Sequence, residues 1–251
     1  MSPLAYLPFF YFQKTRLNNA KAFIFHGAYE WVPVFLLAFY YFPAIRTLAD
    51  VLLYYVAFIS IYEIGYLAND QHAHTEAEGR KRTEKLAGWH IALFVSVRLA
   101  AFLVVTVVEG QFSSGWWWGW YGLLAIQFFI HNQIQIRSLK SITFSFLAFI
   151  RFLSPIFMLI PAVAISTLLL PIFLNYVLFR LFTYLDSKDF LKNFDRKSGA
   201  YYRGFYLLIV PFSIIVAVLM HTWLPLIFTG YYALVALGFS LLASSAQVAS
   251  E

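Results

Sequence analysis

The sequence predicts an all-α fold, a polytopic integral membrane bundle of about eight transmembrane helices. Three observations carry that prediction. Of the 251 residues 61% are hydrophobic and only 12% charged, where soluble domains carry ~25% charged residues. Apolar runs of roughly the ~20 residues that a bilayer requires follow one another with short polar connections. The basic residues outside those runs gather on one side, as membrane orientation demands. No long polar segment is left to build a soluble domain, so 1–251 reads as a single membrane domain with the lipid bilayer as its first partner.

In chain order, residues 1–21 are aromatic and basic, with Lys14, Arg16 and Lys21, and read as an interfacial segment. They lack the ordered parts of a signal peptide, and none is expected. Spans are expected near 22–43, 48–68, 89–109, 116–134, 142–161, 163–183, 204–221 and 223–245. Pro155, Pro161 and Pro171 are positioned to kink or break the pair at 142–183. Trp116, Trp117, Trp118 and Trp120 suit an outer aromatic belt. With the N-terminus in the cytoplasm, that side holds the basic residues of 1–21, Arg80, Lys81, Arg82, Lys85, Arg137, Lys140 and those of 188–203. The opposite side holds Arg46 alone, while Arg98, Arg151 and Arg180 fall within spans. Both termini are then cytoplasmic, as are the polar loops 69–88 and 184–203. The chain has no cysteine, which excludes disulfides, thiolate metal sites and thiol nucleophiles. Its six histidines do not cluster as a di-iron membrane enzyme requires, and no nucleic-acid partner is expected.

The second span runs out of the bilayer through Asn69-Asp70 into a polar tip ending Arg80-Lys81-Arg82-Thr83. If the helix continues, Asp70, His74 and Glu78 share one face. Glu63 lies two turns below, inside the apolar run, where an acid is costly and kept for a reason. The tip is either a solvated helix end or a metal and phosphate site. A second cluster ends the sixth span. Tyr176, Arg180, Tyr184, Lys188 and Lys192 recur every four residues as one cationic stripe, and Asp186 and Asp189 are spaced to approach one ion together. Arg180 and Lys188 also suit simple snorkelling to the headgroups. Arg151, within the fifth span, is suited to pair with Glu63 or to contact a phosphate.

Both clusters together fit one chemistry. Magnesium prefers carboxylate and phosphate oxygens, and a diphosphate is held by Mg²⁺ with Lys and Arg. The apolar shafts below suit a lipid tail. Asn69, Asp70, Glu78, Asp186 and Asp189 are the candidate metal ligands, and Arg80, Lys81, Arg82, Arg180 and Lys188 the candidate phosphate contacts. Asp70, Tyr184 and Lys188 are the candidate catalytic groups, with Glu63, His74 and Arg151 lining the cavity.

On these residues the chain resembles the UbiA-type prenyltransferase superfamily. Asn69-Asp70 at the end of span two, the basic tail Arg80-Lys81-Arg82-Thr83, and Asp186 and Asp189 at the end of span six carry the resemblance. It departs at Ala73 and Ala77, where the family pattern has acids, and at Phe190 and Asn193. The resemblance implies Mg²⁺ bridging both motifs to a prenyl diphosphate, or transfer of a prenyl or phosphoribosyl-like glycosyl group to or from a polyprenyl phosphate carrier. It also implies a bacterial inner (plasma) membrane. A transporter or flippase lined by Glu63, Arg98, Arg151 and Arg180, and a non-catalytic scaffold that has kept the fold, are the alternatives.

Overall fold

A computed structural model describes residues 3–74, 82–191 and 198–248, with side chains in the last helix as far as 241. The described residues are helical throughout their regular structure. Six helices are long and apolar enough to cross a membrane, which makes the chain a polytopic helical membrane protein. Backbone contacts divide it into two compact units, one of Met1–Thr143 with Ile150–Leu159 and one of Phe144–Phe149 with Ile160–Glu251.

In the first unit a 3₁₀ turn, Pro3–Tyr6, precedes α1, Phe10–Arg16. Helix α2, Ala20–Tyr41, starts at Asn19, whose side chain accepts the Ala22 N–H at 2.8 Å, the usual task of an N-cap. A π turn at Gly27–Trp31 adds a residue to α2 in a region where Glu30 is buried. Helix α3, Ile45–His72, is the axis of the unit, a 28-residue helix that would be about 42 Å long. It packs against α4, Gly88–Val108, α5, Gly115–Gln133, and α2. Gly65 permits the close approach of α3 and α5, because a Cβ there would run into the Phe128 ring. Helix α6, Arg137–Leu153, follows.

The segment expected along the interface keeps Leu4, Leu7 and Phe10 exposed and turns its other side inward. Ala5, Tyr11, Phe12 and Leu17 are buried, and Tyr11 packs with Leu67 of α3 and Phe94 of α4. The aromatic content of this segment therefore serves the packing of the unit.

The second unit holds α7, Ala162–Asp186, α8, Gly199–Leu219, and α9, Leu224–Val248. Helices α8 and α9 pair along their length, joined by the Ser213–Thr229 hydroxyl contact at 2.5 Å and by Arg203 donating to Ser240 at 2.7 Å. A second π turn, Phe173–Val177, follows Pro171 in α7. The proline cannot donate to the helix, and the Asn175 amide supplies the Pro171 carbonyl with a donor at 3.0 Å.

The six long apolar helices match the spans expected first, second, third, sixth, seventh and eighth. The other two expected spans, 116–134 and 142–161, are present as α5 and α6 but fall short of that standard. Helix α5 is rich in Trp, Gly and polar residues. Helix α6 has only 17 residues, among them Arg137, Lys140 and Arg151. The count by length and apolarity is thus six where eight was expected.

Candidate functional site

Three carboxylates on α2 and α3 organise the first unit, and each is met by an arginine from a distant part of the chain. Glu63 and Arg98 are both fully buried, with Arg98 Nε donating to Glu63 Oε2 at 2.6 Å. Both also grip the N-terminal segment by its backbone. Glu63 accepts the N–H of Phe9 at 3.1 Å and of Phe12 at 2.6 Å. Arg98 donates to the carbonyls of Ala5, at 3.0 Å, and of Tyr6. Phe9 sits at a φ of 79°, a left-handed conformation rare for a bulky residue and held here by the clamp.

Glu30 receives Arg151 Nε at 2.7 and 2.8 Å, and Arg151 also donates to the Tyr66 hydroxyl at 2.9 Å and contacts His26. Arg151 therefore pairs with Glu30, where the sequence suggested Glu63 or a phosphate. Burying an ion costs several kcal/mol unless it is paired and fully hydrogen-bonded, and both pairs meet that condition.

The third carboxylate is Asp70, at the last turn of α3 and fully buried. Arg16 forks onto it, with Nη2 to Oδ1 at 2.9 Å and Nη1 to Oδ2 at 3.1 Å. Tyr11 donates its hydroxyl to Oδ2 at 2.7 Å. Arg82 Nη1 stands 3.6 Å from Oδ1. Burial, and then the neighbouring Asp70 charge, push the Tyr11 hydroxyl well above the ordinary phenol range, so it stays a donor. The Arg16 guanidinium lies 4.3 Å from the centre of the Tyr66 ring, a cation–π placement.

Residues 83–86 lie against the end of α3. Gln71 donates to the Thr83 hydroxyl at 3.4 Å and the Glu84 carbonyl at 3.2 Å, and accepts the Leu86 N–H at 2.9 Å. His74 bonds the Thr83 carbonyl through Nε2 at 2.8 Å. These contacts hold Arg82 against Asp70. Asn69 is half-buried beside them, and Glu78, Arg80 and Lys81 lie outside the described residues.

The second cluster belongs to the second unit. Tyr184 stacks on Phe144 at 4.3 Å between ring centres, and Lys188 Nζ stands 6.0 Å from the Tyr184 ring. Asp186 ends α7 half-buried, whereas Lys188 and Asp189 are exposed. Asp189 has a φ of 61°, which aspartate tolerates better than most residues. Arg180 has its Nε buried without a hydrogen-bond partner among the described atoms. Lys192 lies outside the described residues.

The donor set around Asp70 does not fit a divalent ion. Magnesium needs a near-octahedral shell of oxygens at about 2.0–2.1 Å, and both Asp70 oxygens are already taken by a guanidinium and a phenol. Ala73 stands buried where the resemblance has an acid. Among the described residues no three His, Asp or Glu side chains converge as a metal site. Sequence reasoning missed Tyr11 and Arg16 as partners of Asp70. The signal available was general: a buried acid needs a cation, and Arg16 belongs to the nearest aromatic, basic segment. Comparison with protein-family models, curated proteins and solved structures finds no match for this chain.

Proposed function

We propose that this chain is a membrane transferase of the UbiA type, acting on the phosphate or diphosphate of a prenyl lipid carrier at the end of α3. One observation carries the reading. An apolar 28-residue helix ends in Asn69-Asp70, where two arginines from other segments, Arg16 and Arg82, meet a buried carboxylate. Such an end offers a phosphate two partly exposed guanidinium groups. Tyr184, Lys188, Asp186 and Asp189 are the proposed groups of the second motif. The group moved is a prenyl or glycosyl unit, and the developing charge on the leaving phosphate is stabilised electrostatically by the cationic side chains.

The saturated state of Asp70 favours a second reading, a non-catalytic membrane protein that has kept such a bundle. The buried charges Glu30, Glu63, Arg98 and Arg151 are paired among themselves, which gives a transporter path little support. The test is binding of geranylgeranyl diphosphate and of a polyprenyl phosphate to the purified full chain, comparing wild type with Arg82→Gln and Lys188→Gln. Saturable binding weakened about tenfold by either change, the worth of one charge-assisted contact, supports the transferase. Binding absent from the wild type supports the second reading.

A further inference from the structure

The misfit between Asp70 and a divalent ion has a constructive side. Something already performs the neutralisation that a metal would bring. Arg16 places two N–H donors on the two Asp70 oxygens, and its side chain is 14% exposed, so the group is sealed on one side and open on the other. Its position is built. Tyr11, five residues earlier on α1, binds the same carboxylate, and the Tyr66 ring supports the guanidinium plane. The Glu63–Arg98 pair anchors the start of the same segment by backbone bonds that do not depend on side-chain identity. Arg82 approaches Asp70 Oδ1 with its side chain 32% exposed.

The geometry points to Arg16 as the resident cation of the Asp70 site, standing in place of a metal ion and, with Arg82, forming a metal-independent contact for a phosphate group. This rests on the proposed transferase reading for its ligand class, but not for the identity of the cation. Asp70 is then a positioning residue. It fixes two guanidinium groups at one helix end, and the phosphate meets their exposed edges, 14% of the Arg16 side chain and 32% of the Arg82 side chain being accessible. A point charge would do this less well, because a lysine offers no planar fork.

Two measurements on the purified full chain test this. The first uses Mn²⁺ alone, followed by its electron paramagnetic resonance signal. Wild type shows no Mn²⁺ binding that depends on Asp70, whereas Arg16→Gln gains a site that is lost again in Arg16→Gln/Asp70→Asn. Wild-type binding abolished by Asp70→Asn overturns the proposal, as does Arg16→Gln gaining no site. Arg16→Lys, which keeps a cation on Asp70 and guards against misfolding, gains no Mn²⁺ site.

The second measurement is binding of a polyprenyl phosphate in excess EDTA. Wild type keeps its affinity without divalent ions, and Arg16→Gln loses about tenfold or more, partly recovered on adding Mg²⁺ because Asp70 then lacks the forked guanidinium. A wild-type affinity that collapses in EDTA, or an Arg16→Gln affinity equal to wild type, overturns it. If no variant binds lipid in any medium, the transferase reading and the phosphate contact fall together. The Mn²⁺ experiment still decides whether Arg16 is the resident cation.

Discussion

The two helix ends that carry the polar motifs differ in how their acids are used. At the end of α3, Asp70 is fully buried, held by Arg16 and Tyr11 and approached by Arg82. At the end of α7, Asp189 is exposed on a left-handed turn and Lys188 is exposed one residue before it. Similar residue types thus do different physical work. A buried carboxylate must be neutralised by something permanent, and its partners become part of the fold. An exposed carboxylate is solvated, and a partner gains little from it until a ligand arrives. Asp70 is therefore preorganised and Asp189 is not.

The largest expected effects lie below the α3 end. Removing one partner of the Glu63–Arg98 pair, by Glu63→Ala or Arg98→Ala, leaves a buried charge and unpaired backbone groups in the N-terminal segment. Each is expected to cost about 3–5 kcal/mol, read as a fall in the thermal midpoint of the detergent-solubilised protein. The double variant Glu63→Met/Arg98→Met is expected to be less damaging than the worse single. A double that costs the sum of the singles would break the view that pairing is what each residue needs. Next is Gly65→Leu, which forces a side chain into the Phe128 ring and should cost about 1–3 kcal/mol or more. Phe128→Ala in the same chain should recover part of that loss.

The comparison itself is sharpened by matched changes at the two ends. Asp70→Asn strips the charge from a carboxylate bound to a buried arginine and should destabilise by about 2–4 kcal/mol. Asp189→Asn, at an exposed position, should fall within about 0.5 kcal/mol of wild type. Equal effects would mean that the two acids have the same role. Between the two lies Tyr11→Phe, which removes one hydrogen bond to Asp70 while Arg16 remains, at about 1 kcal/mol.

Much of the first unit was legible in the sequence. The apolar run of α3, its polar tip, and the cost of Glu63 within a span all follow from hydropathy and charge alone. The pairings did not. Glu63 and Arg98 are 35 residues apart and Glu30 and Arg151 are 121 apart, so nothing local links them. Periodicity says which face a residue occupies, but not which neighbour covers it. The N-terminal segment was read as interfacial because its aromatic and basic composition suits a headgroup layer. In the fold Tyr11 and Phe12 are buried and Arg16 is bound to Asp70, while Phe10 stays exposed. The span expected at 142–161 runs past the helix because apolar residues resume beyond Ser154, whereas the helix stops at Leu153.

The most direct test of the account is photolabelling of the purified chain with a diazirine-tagged prenyl diphosphate, mapped to residues by mass spectrometry. Label is expected on α3 and α1 near Asp70, displaced by unlabelled geranylgeranyl diphosphate and reduced by Arg82→Gln. Label spread over the apolar surface, insensitive to competitor and to Arg82, would contradict a lipid-phosphate site at the end of α3.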